Sequence, residues 1–305
     1  MLHVVHHTGY VSPETPGTAF QFDKYGLVMA ALAESGAPHA VHAPEPMPRA
    51  WLEAVHCPGY VAEVLGCAVP REKERRIGFA ITERVARRAR LAPGGTWLAA
   101  KLALEHGFAA NAAGGSHHAL YDTGAGYCVF NDLAVAAHRL IAEGDARRIL
   151  IVDLDVHQGD GTAALTAARD DVFTLSLHAE KNFPARKARS SLDVPLADGM
   201  GDADYLAVLA EHLPRAIDGF GPDLILYQAG VDPHRDDRLG RLALSDDGLA
   251  SRDALVIGAA RTRGLPVASA LGGGYGADRM AVARRHVATM LACQRAFEAR
   301  LPAAA

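Results

Sequence analysis

The chain has 305 residues, half of them hydrophobic and 22% charged, with 31 Lys and Arg against 35 Asp and Glu for a formal charge of −4 at pH 7. That length suffices for a large buried core, and the slight acidity excludes a protein built to hold nucleic acid by electrostatics. No run of 18 apolar residues and no basic, apolar leader occurs, and the four cysteines lack CxxC spacing; the expectation is a cytoplasmic chain with reduced thiols, no zinc knuckle and no membrane contact.

In chain order, the pattern predicts a short strand over Leu2 to His6, a Pro- and Gly-rich loop from Ser12 to Gly17, and a helix from Lys24 to Ser35 stopped by Gly36. Ala43 to Pro48 is loop, and short helices follow over Arg49 to Val55 and Pro58 to Cys67. Thr82 to His106 is helical and Arg-rich, but Pro93-Gly94-Gly95 should split it in two.

The first segment with chemical content is Gly114-Gly115-Ser116-His117-His118, where small residues let the backbone approach whatever the adjacent imidazoles address. Gly126 and Tyr127 follow as a pocket wall, then a helix from Asp132 to Glu143. Ile149 to Val152 is a continuous apolar run that leads into Asp153, Asp155 and His157 at alternate positions, with a turn at Gly159-Asp160-Gly161. Such an order describes a buried parallel strand whose carboxyl end opens into a site. Side chains alternate across a strand, so two acids and a histidine share one face, where they make poor core and good metal ligands.

Val172 to His178 is a second buried strand, containing Ser176 and Leu177; Leu224 to Gln228 is a third, ahead of Asp232; Val267 to Leu271 is a fourth, ahead of Gly272-Gly273-Gly274-Tyr275. Helices over 202–218, 246–263 and 279–298 complete an alternation that predicts a three-layer α/β/α fold with a mostly parallel, doubly wound sheet, in a single domain spanning 1–305. Open sheets of this kind bind ligands at the carboxyl ends of their strands. Two carboxylates and an imidazole with an open position describe a catalytic site for Zn²⁺, and Fe²⁺ also suits the donors.

His117-His118, Gly126-Tyr127-Cys128, Asp153-x-Asp155-x-His157, Asp232 and Gly272-Gly273-Gly274-Tyr275 together resemble the metal-dependent histone deacetylase family in order and spacing, along nearly the whole chain from His56. Gln158 and the segment Glu180 to Pro184 look most like the class IV branch and its bacterial relatives, although Asp160 stands where that branch often has Asn. The resemblance implies the arginase-deacetylase fold and hydrolysis of an acyl amide, with an acylated amine or acyl-lysine as substrate. It implies Asp155, His157 and Asp232 as metal ligands; His117 with Asp153 and His118 with Asp160 as catalytic pairs; and Tyr275 as donor to the carbonyl oxygen. Gly126, Tyr127, Phe183 and Gly273 would contact substrate, and Asp153, Asp155, His157, Ser176 and Leu177 would surround a structural K⁺.

Alone, an Asp-x-Asp or a His-His pair usually marks a turn or a solvated loop; convergence at four strand ends is what carries the reading. The rivals are a ureohydrolase-like binuclear enzyme, which needs further Asp and His ligands, and a non-catalytic acyl-ligand binding protein, which has no need of both pairs and Tyr275. Rim loops at Phe20 to Lys24, Glu180 to Arg189 and His234 to Arg241 would select the substrate, with His234 nearest the rim of the remaining histidines. The Arg-rich helices suit solvent or a subunit interface, and the sequence fixes no oligomeric state.

Overall fold

The apolar runs become the centre of a sheet. The computed structural model describes residues 1–11 and 20–299, so the Ser12 to Gly17 loop lies outside the described residues. Its strands are β1 (Leu2–Val5), β2 (His39–His42), β3 (Phe108–Asn111), β4 (Ile149–Asp153), β5 (Val172–Ala179), β6 (Leu192–Leu196), β7 (Leu224–Gln228) and β8 (Val267–Ala270). They join in the order β2-β1-β3-β8-β7-β4-β5-β6, every pairing parallel.

The helices are α1 (Lys24–Glu34), α2 (Arg49–Glu53), α3 (Pro58–Leu65), α4 (Arg71–Ile77), α5 (Glu83–His106), α6 (Asp132–Ala142), α7 (Asp160–Thr166), α8 (Asp202–Phe220), α9 (Asp246–Arg261) and α10 (Arg279–Glu298). Strand periodicity sorts the core into two faces. Ile149, Ile151, Leu224 and Leu226 pack with Ala99 and Ala103 of α5 and Leu133, Ala137 and Leu140 of α6. Leu150, Val152, Ile225 and Tyr227 point the other way, towards Leu213 of α8, Val256 of α9 and Val287 of α10. Helices therefore cover both faces of a three-layer α/β/α arrangement, each buried aliphatic side chain contributing about 1.5–3 kcal/mol. Asn131 and Asp278 cap α6 and α10 by accepting backbone N–H groups of their first turns.

Two parts of the pattern come out differently from expectation. α5 runs unbroken through Pro93, Gly94 and Gly95. A Cβ on Gly94 would collide with the Glu45 carbonyl and one on Gly95 with the Tyr10 hydroxyl, so tertiary packing on the bare backbone holds a helix that local propensity would divide. The strands β2, β3 and β6 and the helices α4 and α7 carried no sequence signal of their own; β2, β3 and β6 are only 4 or 5 residues long, and β6 has Pro195 at a sheet edge, where a missing N–H is tolerated. Among the described residues, no helix is long and apolar enough to cross a membrane.

The topology also fixes where a site must lie. The chain leaves β4 for β5 on one side and leaves the adjacent β7 for β8 on the other. Between their carboxyl ends opens the crevice of a topological switch point.

Candidate metal centre and its cavity

β4 stops at Asp153, and the next residues are held by neighbours rather than by a ladder. Leu154 N–H donates to the Gln228 carbonyl at 3.1 Å, and Ala179 N–H to the Val156 carbonyl at 3.0 Å. Val156 N–H reaches the Asp232 carboxylate at 2.9 Å and Gly273 N–H reaches Asp155 Oδ2 at 2.7 Å. These contacts bring ligand atoms of Asp155, His157 and Asp232, all buried, within 4.8 Å of one another. His157 Nδ1 lies 3.0 Å from Asp155 Oδ1 and 3.2 Å from Asp232 Oδ2.

The electrostatics of this trio call for a cation. Burial and the Asp155 charge raise the Asp232 carboxyl above its usual range, whereas Asp155, despite its burial, is driven well below it by His117 and His157. Burial acts against a charged His157, but the two carboxylates outweigh it and lift the imidazole to about 10. The two carboxylates thus favour a proton on the imidazole between them. Two oxygens and an imidazole nitrogen around one point suit a divalent ion, which would replace that proton.

The histidine pair sits on a loop anchored by Asp132, whose carboxylate accepts Ser116 N–H at 2.6 Å and Gly115 N–H at 3.0 Å. His117 Nδ1 pairs with Asp153 Oδ2 at 2.8 Å and His118 Nδ1 with Asp160 Oδ1 at 2.6 Å, the two rings 4.1 Å apart. Both Nδ1 atoms being engaged, each ring turns Nε2 away from its carboxylate. The two rings differ in proton affinity. For His117 burial is outweighed by Asp153 and Asp155, giving about 9; for His118 burial and the charge of His117 prevail over Asp160, giving about 4. Of the two rings, His118 holds a proton less readily.

Both imidazoles of the pairs, Asp155, His157 and Gly273 line one cavity of about 490 Å³, with Asp153 and Asp160 buried behind the two rings. Tyr275 forms part of the wall, its ring 6.5 Å from that of His157 and 5.8 Å from that of Tyr127. Tyr127 takes the left-handed φ of +67°, uncommon for a bulky residue, and is held there by its N–H on the Ile77 carbonyl at 2.7 Å. Phe183, 45% exposed, stands edge-on to His118 at 4.7 Å across from Gly126. Ser176 lies opposite Asp153 in the β4–β5 register with Leu177 buried beside it, and its hydroxyl meets His178 Nδ1 at 3.0 Å.

Sequence reasoning missed three supporting residues. Asp237 accepts Tyr275 N–H at 2.6 Å, Lys24 donates to the Gly272 carbonyl at 3.0 Å, and buried Arg252 donates to the Gly230 carbonyl at 2.6 Å. Asp237 and Lys24 lie in flagged rim segments, but no periodicity marks an interior arginine. His234 is buried and outside the cavity wall, its Nδ1 accepting Asp236 N–H at 3.0 Å.

Residues 18–291 match the family model described as the histone deacetylase domain. An uncharacterised Picosynechococcus protein is 46% identical over 285 residues, covering 93% of this chain and 95% of its own length. Histone deacetylase 2 of Arabidopsis thaliana is 36% identical over 65% of this chain, and the match spans about half (52%) of that longer protein. The crystal structure of an acetylpolyamine aminohydrolase from Burkholderia pseudomallei superposes with a TM-score of 0.79 at 21% identity, over 96% of this chain and 98% of that one, a likeness of fold.

Proposed function

This chain belongs to the histone deacetylase family, and from that premise we propose that residues 1–305 act as a single catalytic domain that hydrolyses an acylated amine, such as an acyl-lysine, releasing an acetyl or longer acyl group. The supporting observation is a buried cluster of Asp155, His157 and Asp232 beside two His–Asp pairs whose imidazoles line the same cavity as Asp155 and His157. Asp155, His157 and Asp232 would hold the metal, Zn²⁺ or Fe²⁺. When bound, it supplies Lewis acidity to a water molecule and to the amide carbonyl.

The protein's own groups do the rest. His118, whose proton affinity burial and the neighbouring His117 lower and which Asp160 orients, takes the water proton at Nε2 and returns it to the leaving amine, a role worth about 10²–10⁴ in rate. His117, held by Asp153, supplies electrostatic support. Tyr275 donates its hydroxyl to the developing oxyanion, while Tyr127, Phe183, Gly126 and Gly273 enclose a straight acyl-amine arm and exclude water. Asp153, Asp155, His157, Ser176 and Leu177 would also hold a structural K⁺ behind the site, where the buried Ser176 hydroxyl faces the end of β4.

The test is turnover of acyl-lysine and acetylated-amine substrates by protein stripped of metal and reloaded with one equivalent of Zn²⁺. Restored hydrolysis that Tyr275→Phe lowers by about 10²–10³ in kcat is the expected result. Full activity in Tyr275→Phe, or a requirement for two metals per chain, would sink the reading, the latter in favour of a binuclear ureohydrolase-like enzyme.

A further inference from the structure

We propose that the mouth of this cavity selects acylated amines carrying negative charge beyond the scissile amide, an inference that rests on the deacylase reading and narrows its substrate class. Six cationic side chains line the cavity, Lys24, Arg75, Arg76, Arg88, Lys181 and Arg241; the acid among the lining residues is Asp155, on the floor and committed to the metal trio.

The cations are poorly neutralised. Arg75 and Arg76 are exposed at the end of α4 and have no carboxylate partner among the described residues, while Glu74 is turned aside to accept Ile81 N–H at 2.7 Å. Their position is fixed to the tunnel wall: the Arg76 carbonyl accepts Gly126 N–H at 3.0 Å and the Ile77 carbonyl accepts Tyr127 N–H at 2.7 Å. Across the mouth, Lys181 and Arg241 share the single carboxylate of Asp198, at 3.9 Å and 3.1 Å.

Arg88 is a half-buried cation that, among the described residues, packs on aromatic rings and has no carboxylate partner. Its guanidinium lies 4.7 Å over the Phe20 ring and 4.8 Å over the Tyr25 ring and donates to the Tyr25 hydroxyl at 2.6 Å. Aromatic faces hold a guanidinium without neutralising it, so it keeps its full charge on the wall. A cleft with low-dielectric walls and one sign of charge focuses its field on what enters. A carboxylate or phosphate on the amine arm is drawn in; an ammonium, as on an acetylpolyamine or a lysine-rich peptide, is repelled.

Two small probes isolate the charge, N-acetyl-6-aminohexanoate and N-acetylcadaverine. They share the acetamide and the methylene arm and differ in the terminal group. With the zinc-loaded full chain, the expected kcat/KM is on the order of tenfold or more higher for the carboxylate, with the gap closing between about 20 mM and about 500 mM salt. A parallel pair of acetyl-lysine peptides, flanked by Glu or by Lys, reads whether the negative charge comes from a small molecule or a polypeptide. Arg75→Glu combined with Arg76→Glu should invert the ratio, and Arg241→Glu on the opposite rim should move it the same way.

Equal rates on both probes, preference for the ammonium, or a ratio unmoved by either charge reversal would overturn the proposal. Hydrolysis of a neutral acetyl-lysine amide without charge preference would do so while leaving the deacylase reading intact. Calorimetric affinities of the zinc-loaded Tyr275→Phe protein for the same probes report the preference independently of turnover, so a protein that favours the anion and hydrolyses nothing would refute the activity alone.

Discussion

Gly273→Ala places a methyl group against the metal trio. A Cβ at this position would overlap Asp232 Oδ2 outright and lie 2.6 Å from Asp232 Cγ and 2.8 Å from Asp155 Oδ2, the last two about 0.8 Å and about 0.6 Å inside an ordinary 3.4 Å contact. Gly273 has no left-handed φ, so alanine suits its backbone and the conflict falls on the two carboxylates. Metal–ligand distances tolerate about 0.2 Å, several times less than the required displacement. Zinc affinity should fall about 10²-fold, near 2.8 kcal/mol, while metal-free protein melts within a few degrees of the parent. Chelator competition measures the first and thermal unfolding the second. Gly258→Ala, where nothing lies within 4 Å, is the neutral control. Wild-type zinc affinity in Gly273→Ala would refute the packing argument outright.

Two further outcomes concern stability. Arg252 is fully buried, with Nε 2.9 Å from Asp253 Oδ1. Arg252→Met strands that carboxylate and should cost about 3–5 kcal/mol in urea unfolding, most of it recovered in Arg252→Met/Asp253→Leu; a loss under about 1 kcal/mol would mean that water reaches the pair. His56 is fixed as a neutral ring, its Nε2 accepting Asn131 N–H at 3.0 Å and its Nδ1 2.8 Å from the Leu120 carbonyl. Burial lowers it from 6.5 to about 4. Its contribution, about 3 kcal/mol, is therefore present above pH 6.5 and disappears as pH falls from 6.5 through 4. His56→Gln should flatten the stability profile in that window, and an unchanged slope would assign the acid sensitivity elsewhere.

The cluster of Asp155, His157 and Asp232 was legible because polar residues at alternate positions after an apolar run have few structural uses. Asp155 and His157 follow β4 directly, and Asp232 and Tyr275 follow β7 and β8 after short glycine-bearing turns. Residues whose role is set by neighbours distant in sequence were not legible. α5 needs the Glu45 carbonyl and Tyr10 hydroxyl to stay whole, β3 is Phe-Ala-Ala-Asn with no alternation, and Asp237 meets Tyr275 across 38 positions. The cationic mouth was half visible: the rim loops were marked, but α4 was not assigned, and Arg88 was left among the arginines of a helix read as facing solvent or a subunit interface, whose Ala89 side is buried.

The parallel pairing of β4 with β7 aligns Asp153 with Gln228 and so brings Asp232 to Asp155, from stretches 77 positions apart. A slip of one residue would shift β7 by about 3.3 Å and turn its side chains to the opposite face. A chain so mispaired has no three-ligand site, whereas a correctly paired one gains the whole binding free energy of the ion. An ion held there would therefore favour the correct pairing, and the yield of correctly paired protein on refolding should rise with the concentration of free metal.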